Sequence, residues 1–341
     1  GRKTSYIGMA EAASPEGPWT QRGRVVKTNE ASVMNAIDPS VMADPVTGKW
    51  WMHYGSFFGG LYCVELDPET GLPAEEGDQG HLTARRANYQ KDNLEAPEII
   101  YNPDLKQYYL FVSYDPLMTT YNVRVGRSDK AEGPFVDFSG VELKDTTNNF
   151  PILTAPYRFH NHPGWAGTAH CSVFTLDEGQ YFMAHQGRLS PHNQMMDLHL
   201  RQVFFTPDGW PVVSPERYTG CVSRKFSAED MAGEWEVIRI QEPAYERRLQ
   251  AGQILWGEGQ LKEEEWNVSH LLSLEKNGNL GENKGTWELL EAKQLLSLTL
   301  EGEIINNLII FAGHDWENEK ETVLFTGLDS CGRSIWGKRI K

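Results

Sequence analysis

One sequence motif occurs three times in this sequence of 341 residues, and it limits the folds that the chain can adopt. In each copy a polar residue precedes a short apolar run, a tight turn and a second, aromatic run. The first copy begins at Asp38-Pro39 and turns at Asp44-Pro45, the second begins at Glu95-Ala-Pro97 and turns at Asn102-Pro103, and the third begins at Ala169-His170. Short runs bounded by such turn residues predict β-strands. The repeat therefore predicts one antiparallel unit used three times.

The spacing of the copies predicts the blades of a β-propeller. A four-stranded unit of about 45 residues plus a loop fits this spacing, and that length is the period of a propeller blade. The blades fall at residues 35–90, 95–145 and 168–215, and residues 1–27 supply the end of another. These repeats do not close a ring, and an open ring leaves strand edges unpaired. We therefore expect the rest of the ring to come from a preceding segment.

The character of the sequence changes near Cys221. Short runs separated by polar turns follow Gly233, and they predict a small antiparallel β-barrel. A helix is predicted only at residues 227–231, as a single turn with Ser227 as its N-cap. We accordingly divide the chain into a propeller domain, residues 1–220, and an accessory barrel, residues 221–341.

Composition narrows the possible partners. The net charge of -15 argues against binding to nucleic acid or to an anionic membrane, because both would be repelled. The four cysteines form no CxxC pair, so a zinc site of that kind is not predicted. A neutral ligand is compatible with this charge. Most of the eleven Trp and thirteen Tyr belong to the sheet core on the simplest interpretation, but some could line a carbohydrate site.

The polar residues of the repeat suggest a hydrolytic site. Glycoside hydrolysis needs two carboxyl groups flanking the scissile bond, and Asp38 and Glu95 each stand at the head of an inner strand. Taken singly, Asp38 could be a turn residue and Glu95 a solvated charge, whereas an equivalent place in one repeat favours a shared site. His170 is either a core histidine or a ligand of an axial ion. Ser56 could bond a sugar hydroxyl or could be a turn serine.

The motifs taken together resemble a known family. They are Asn35-Ala-Ile-Asp-Pro39, Tyr54-Gly-Ser56, Glu95-Ala-Pro97, His170-Cys-Ser-Val173 and the segment Asp208–Glu216. Their order and spacing resemble glycoside hydrolase family 43, and most closely its two-domain endo-α-1,5-L-arabinanases. The resemblance covers about residues 1–220, and the tail is similar to the accessory β-barrel of those enzymes.

The resemblance implies a five-bladed β-propeller and hydrolysis with inversion at the anomeric carbon. It implies that Glu95 is the general acid and that Asp38 orients this acid and tunes its pKa. It implies that Asn35 and Ser56 contact substrate. His170 would lie near an axial calcium or sodium ion coordinated mostly by water.

The resemblance also implies a general base that no residue of this chain matches. We expect this aspartate on an N-terminal segment of the same protein, present as a separate chain. Arabinan and arabino-oligosaccharides are the expected substrates, and a secreted or periplasmic location is expected. Three alternatives remain open. They are an exo-acting arabinanase, a β-xylosidase or α-L-arabinofuranosidase on the same scaffold, and a non-catalytic propeller that binds carbohydrate or protein.

Overall fold

The computed structural model describes residues 4–86, 93–145, 149–176, 179–222, 224–242, 260–300 and 302–341. Nearly all regular structure in these ranges is β-strand. The strands are β1 (Tyr6–Glu11), β2 (Thr20–Lys27), β3 (Ser40–Ala43), β4 (Trp50–Tyr54), β5 (Leu61–Leu66), β6 (His81–Ala84), β7 (Leu94–Asn102), β8 (Gln107–Tyr114), β9 (Asn122–Ser128), β10 (Ile152–Thr154), β11 (Tyr157–Arg158), β12 (Trp165–Ala166), β13 (Ser172–Thr175), β14 (Tyr181–Leu189), β15 (Asp197–Phe205), β16 (Pro211–Val213), β17 (Gly233–Arg239), β18 (Asn267–Val268), β19 (His270–Leu274), β20 (Asn279–Leu280), β21 (Gly285–Leu290), β22 (Leu295–Leu300), β23 (Glu303–Asp315), β24 (Lys320–Leu328) and β25 (Ser334–Arg339).

Helical structure in the described ranges is short. Helix α1 (Ala228–Met231) is a single turn, and two 3-10 turns span Glu263–Glu265 and Gly281–Asn283. The backbone N–H of Asp230 donates to the side chain of Ser227, and the Asp230 carboxylate accepts from the backbone N–H of Ser227. This reciprocal cap satisfies two backbone donors and confirms the prediction for residues 227–231. No helix in the described ranges has the length and apolar composition needed to cross a membrane.

The chain divides into two compact units. The first comprises residues 1–114 and 125–149, and the second comprises residues 115–124 and 150–341. Strand β9 begins in the second unit and ends in the first. The predicted domain boundary at residue 220 lies inside the second unit, and that boundary stays a prediction.

The first unit contains blade sheets built from consecutive antiparallel strands. One sheet has the strand order β3-β4-β5-β6. A second sheet contains β7, β8 and the end of β9 as neighbouring strands, and β1 pairs with β2. Leu61 of β5 and Leu110 and Val112 of β8 are buried in one apolar cluster of this unit. Short strands that alternate with tight turns place such residues in a shared core, as a blade requires. The last residues of the first predicted blade, 87–90, lie outside the described ranges.

The inner strands share a backbone feature at their heads. Asp38, Ala96 and His170 have φ angles of 54°, 51° and 55°, in the left-handed region that residues other than glycine seldom adopt. Two residues after each of them lie Ser40, Glu98 and Ser172, which face His53, Phe111 and Ala184 across their hairpins. The three copies therefore have the same register relative to a backbone kink at or near the start of each inner strand.

The second unit combines one blade with a closed barrel. Strands β13-β14-β15-β16 form the blade, and β17, β19 and β20 to β25 close an antiparallel barrel. Trp235 and Phe325 lie in the core of the barrel, with their ring centroids 5.2 Å apart. The predicted fold class, all-β with propeller blades followed by a small antiparallel barrel, is confirmed. One detail differs, because β10 pairs with the start of β9 and lies beyond the limit predicted for that blade at residue 145.

A buried charge cluster joins the barrel to the blade within the second unit. The ammonium of Lys338 on β25 donates to Glu216 Oε1 at 2.9 Å, lies 3.2 Å from Asp315 Oδ1 and also contacts Glu317. It lies 3.8 Å from the ring centroid of Phe159. Glu216 follows the last strand of the blade, whereas Asp315 and Lys338 belong to the barrel. One buried cation is therefore shared among three carboxylates.

Burial and the neighbouring charges shift the pKa values of the groups in this cluster in different directions. Burial raises the pKa of Glu216 to about 8, although Lys338 opposes the shift. Burial alone would also raise the pKa of Asp315, but Lys338 and Asn318 bring it below its ordinary value. Burial alone would lower the pKa of Lys338, but Glu216 and Glu317 raise it above its ordinary value. Glu216 is consequently the member of the cluster that holds a proton near neutral pH.

We predict that the contribution of Glu216 to the free energy of unfolding falls as the pH rises from about 4.5 to about 8. The folded state keeps a proton on Glu216 in this window and the unfolded state does not, so stability present below the unfolded pKa of 4.5 is lost as the pH passes the folded pKa of about 8. One proton corresponds to a slope of at most about 1.4 kcal/mol per pH unit. Urea unfolding across this range measures it.

Glu216→Gln is the informative variant, because the amide cannot ionise. We expect its stability relative to the parent protein to increase with pH. Glu288→Gln, on the exposed face of β21, serves as the control and should keep the parent's slope. An equal slope in parent and Glu216→Gln would contradict the prediction.

Candidate active site

Two inner strands of the first unit are tied together at their heads. The hydroxyl of Ser40 on β3 donates to Glu98 Oε2 at 2.8 Å and accepts from the backbone N–H of Ile99 on β7 at 3.2 Å. Asp38 lies two residues before Ser40, and Glu95 lies three residues before Glu98. The two candidate carboxylates therefore stand at the same end of two neighbouring strands.

Glu95 is held by residues of the blade before its own. The hydroxyl of Ser56 donates to Glu95 Oε2 at 2.8 Å, and the backbone N–H of Phe57 donates to the carbonyl of Leu94 at 2.8 Å. Ser56 is buried and Glu95 is half-buried. The carboxylate thus has a fixed neighbour on one side while part of the side chain stays open to solvent.

A glycine places Ser56 in this position. Gly55 has a φ angle of 133°, and a Cβ there would stand 2.6 Å from the carbonyl oxygen of Gly60. Its backbone N–H donates to the carbonyl of Ile37 at 2.9 Å, one residue before Asp38. The Gly-Ser pair therefore links the head of β3 to the acid candidate on β7, and only glycine fits at its first position.

Asp38 and Asn35 form the head of β3. Asp38 is half-buried, and Asn35 is buried with its side-chain oxygen accepting from the hydroxyl of Ser5 at 2.7 Å. The backbone N–H of Ile37 donates to the carbonyl of Asn35 at 3.1 Å, which makes a tight turn directly before the kink. These contacts order the segment that carries Asp38. The substrate-binding roles of Asn35 and Ser56 stay predictions.

His170 belongs to the second unit. It is exposed and follows a turn in which Ala169 N–H donates to the carbonyl of Gly167 at 3.1 Å, as in the turn before Asp38. Among the described residues, the cluster of potential metal ligands with suitable spacing consists of Glu216, Asp315 and Glu317, and it does not include His170. The water-coordinated ion at His170 stays a prediction.

The register of the repeat differs by one residue from the expectation. The kinked position is occupied by Asp38, Ala96 and His170, so Glu95 precedes the equivalent position instead of occupying it. Two further groups at the strand heads, Ser40 and Glu98, were missed. Both lie two residues after the kink and one residue after a proline, Pro39 or Pro97, which is the signal that the sequence offers.

Two other histidines of the strands are structural. His53 is fully buried, its Nε2 lies 2.9 Å from the carbonyl of Ala131, and burial lowers its pKa to about 4. His185 accepts from Arg201 Nε at 2.9 Å, and burial together with the charge of Arg201 lowers its pKa to about 3. Both rings are neutral at physiological pH and satisfy buried polar groups.

Comparison with known proteins identifies the class to which this fold and these strand heads belong. The model of glycosyl hydrolases family 43 matches residues 1–211, and that of its C-terminal lipocalin-like domain matches residues 215–337. The first match takes in more than half of the chain. The chain therefore belongs to glycoside hydrolase family 43, and the resemblance seen in the sequence is confirmed.

Several arabinanases are similar to this chain. An extracellular endo-α-(1→5)-L-arabinanase of Bacillus subtilis is 27% identical over 98% of this chain and 73% of its own length. The extracellular endo-α-(1→5)-L-arabinanase of Thermotoga petrophila is 29% identical over 100% of this chain and 75% of its own length. Its crystal structure matches with a TM-score of 0.83 at 26% identity, covering 98% of this chain and 78% of that chain.

A further solved structure that is similar to this chain contains a bound oligosaccharide. The α-L-arabinanase of Cellvibrio cellulosa complexed with arabinohexaose has a TM-score of 0.52 at 29% identity, covering 62% of this chain and 70% of that chain. The two endo-arabinanases match through the barrel as well as the blades, since their alignments take in nearly the whole chain.

We predict that Ser56→Ala lowers the kcat of glycoside hydrolysis by about tenfold, because Glu95 loses the hydroxyl that holds it. KM should rise as well, because the same hydroxyl is expected to contact a sugar hydroxyl. Steady-state kinetics measure both constants. Ser128→Ala is a matched control, because it removes another buried hydroxyl of the same unit, one that accepts from Lys130 N–H. Equal kcat values for the two variants would contradict the positioning role.

Proposed function

We propose that this protein is an endo-α-1,5-L-arabinanase that cleaves within α-1,5-linked arabinofuranose chains with inversion at the anomeric carbon. The observation that carries the proposal is the half-buried Glu95 carboxylate, held by Ser56 at the end of two neighbouring inner strands. Two endo-arabinanases that align with nearly the whole chain support the choice of substrate.

Glu95 acts as the general acid. It donates a proton to the oxygen of the leaving sugar as the glycosidic bond breaks. The hydrogen bond from Ser56 to Oε2 fixes the orientation of this carboxyl group. A carboxyl group fixed in this manner transfers a proton without first having to search for the correct rotamer.

Asp38 acts through Glu95. Its backbone has a left-handed conformation directly before β3. Two residues later, Ser40 donates a hydrogen bond to Glu98 on β7, the strand that carries Glu95. A negative charge at this place favours the protonated form of a neighbouring carboxyl group. Asn35 and Ser56 contribute polar groups at the same strand heads and would contact sugar hydroxyls.

Inversion also needs a base that activates water. Such a carboxylate lies about 6.5–9.5 Å from the acid, which leaves room for the water molecule. The comparisons do not support the expectation that this aspartate comes from a separate N-terminal chain.

His170 would hold a calcium or sodium ion together with water. Such an ion supplies positive charge that orders water and substrate oxygens near it. A secreted location fits the names of the two endo-arabinanases, both of which are described as extracellular.

We predict that Glu95→Gln lowers turnover of linear arabinan by about 10² or more, the usual scale for a general acid. The fold should persist, because the amide can still accept from Ser56. Glu98→Gln is the matched comparison, since it changes a carboxylate three residues further along the same strand. Near-parental activity of Glu95→Gln, or a larger loss in Glu98→Gln, would show that the acid is misassigned.

The products of linear arabinan distinguish the mode of action. We expect short arabino-oligosaccharides to form early, because cleavage occurs within the chain. Chromatography of the products over time is the measurement. Release of arabinose alone from the start would indicate exo action, and no release would refute the proposed function.

We predict that His170→Ala lowers activity more than stability, because His170 is exposed and contributes little to the core. Activity should also fall when a chelator is added to the parent protein and should return with calcium. Activity and thermal unfolding of the variant, with and without chelator, measure these effects. Insensitivity to both the chelator and the substitution would remove the ion from the mechanism.

A further inference from the structure

A cavity of about 410 Å³ in the second unit plays no part in the mechanism described above. It lies between the segment after β8 and the segment between β14 and β15. Its lining includes Met118, His192, Asn193, Met195 and Gln260. Its volume is within the range of small-ligand sites, which is about 300–1,000 Å³.

Asn193 is a buried polar residue of this lining. Its side chain is buried at 4% exposure, and Nδ2 donates to the carbonyl of Met118 at 3.0 Å. Its backbone carbonyl accepts from Arg188 Nη1 at 2.8 Å. The remaining side-chain atom, Oδ1, has no hydrogen-bond partner in the described part of the chain. A buried acceptor without a partner is unfavourable, and a donor from a ligand would remove that cost.

Hydrogen bonds connect the lining of the cavity to β14 and, through it, to the residue before His170. Arg188 also donates through Nη2 to Gln186 Oε1 at 3.2 Å, and Gln186 N–H donates to the carbonyl of Ala169 at 3.1 Å. The segment carrying Asn193 is therefore connected by hydrogen bonds to the head of the blade's inner strand. Gln260 Nε2 adds a bond to the carbonyl of Pro191 at 2.5 Å. The position of Asn193 is thus set before any ligand binds.

The chemistry of the lining indicates a neutral, hydroxyl-bearing ligand. Among the described residues it contains amide side chains, methionines, Pro191 and His192, and it includes no Asp, Glu, Lys or Arg. Met195 is 74% exposed, so its thioether side chain offers an apolar surface at the mouth. Sugars present apolar C–H faces with hydroxyl groups around their edges, and a few placed polar groups on an apolar wall recognise them. The described part of the lining therefore offers a charged ligand no carboxylate, ammonium or guanidinium group as a partner.

We propose that this cavity is a subsite for one arabinofuranosyl residue of the polysaccharide. Asn193 Oδ1 accepts a hydrogen bond from a sugar hydroxyl, and the side chains of Met118 and Met195 pack against the ring. The assignment rests on the proposed arabinanase function and adds a determinant of binding to it. Its consequence is that occupation of this cavity adds to the affinity for an arabino-oligosaccharide.

Titration calorimetry with arabinohexaose tests the subsite in the Glu95→Gln background, in which turnover is slow. We expect Asn193→Ala to weaken binding by about tenfold, the scale of one lost hydrogen bond to a buried acceptor. Met195→Ala should weaken it about threefold, through lost apolar contact. Met196→Ala is the matched control, because Met196 is 64% exposed, adjacent in sequence and absent from the lining, and it should bind like the background protein.

The outcomes are separable. Weaker binding in both Asn193→Ala and Met195→Ala, with Met196→Ala unchanged, supports the subsite. Met195 is a surface residue, so its variant tests the proposal even if Asn193→Ala fails to fold. Binding by Met195→Ala equal to that of Met196→Ala would overturn the subsite while leaving the arabinanase function intact. Failure of the parent protein to degrade arabinan would instead refute the function on which the subsite rests.

Discussion

The backbone kink at the head of each inner strand is the constraint on which the candidate site depends. A left-handed residue in an otherwise extended chain ends the alternation of side chains between the two faces of the sheet. Asp38 is consequently displayed at the strand end and not buried between sheets. Such a conformation is unfavourable for Ala96, at about 1 kcal/mol or more, and persists because the surrounding ladder fixes it. The repeat thus carries strain at the place where its chemistry is located.

Much of the architecture was predictable because it depends on local patterns. Turn residues at regular spacing separate short aromatic runs, and these patterns predicted both the blades and the barrel. The exact register at the strand heads was not predictable in the same manner. The kink falls on an aspartate, an alanine and a histidine, so no residue type marks it. The prolines at 39 and 97 suggested the correct alignment, but the third copy has Cys171 in their place.

The candidate site was predicted in its residues but not in its contacts. Glu95 and Ser56 were both named from the sequence, yet their hydrogen bond joins two blades and depends on tertiary packing. The bond between Ser40 and Glu98 spans 58 residues and leaves no trace in a local pattern. The unpartnered oxygen of Asn193 was beyond prediction for a related reason. Whether a polar atom lacks a partner is known only when every neighbouring segment has been positioned.

The shared ammonium of Lys338 also bears on where this protein divides into modules. Module boundaries are usually drawn where sequence families meet, near residues 211–215 here. Yet Lys338 contacts Phe159 of the blade side, Thr326 donates to the carbonyl of Val213, and Ser334 donates to that of Ile152. A cut at this boundary would leave Glu216, Asp315 and Glu317 with Lys338 but would remove Phe159, Val213 and Ile152 from their partners in the barrel. The barrel and the last blade are therefore packed as one structure, although two family models describe them.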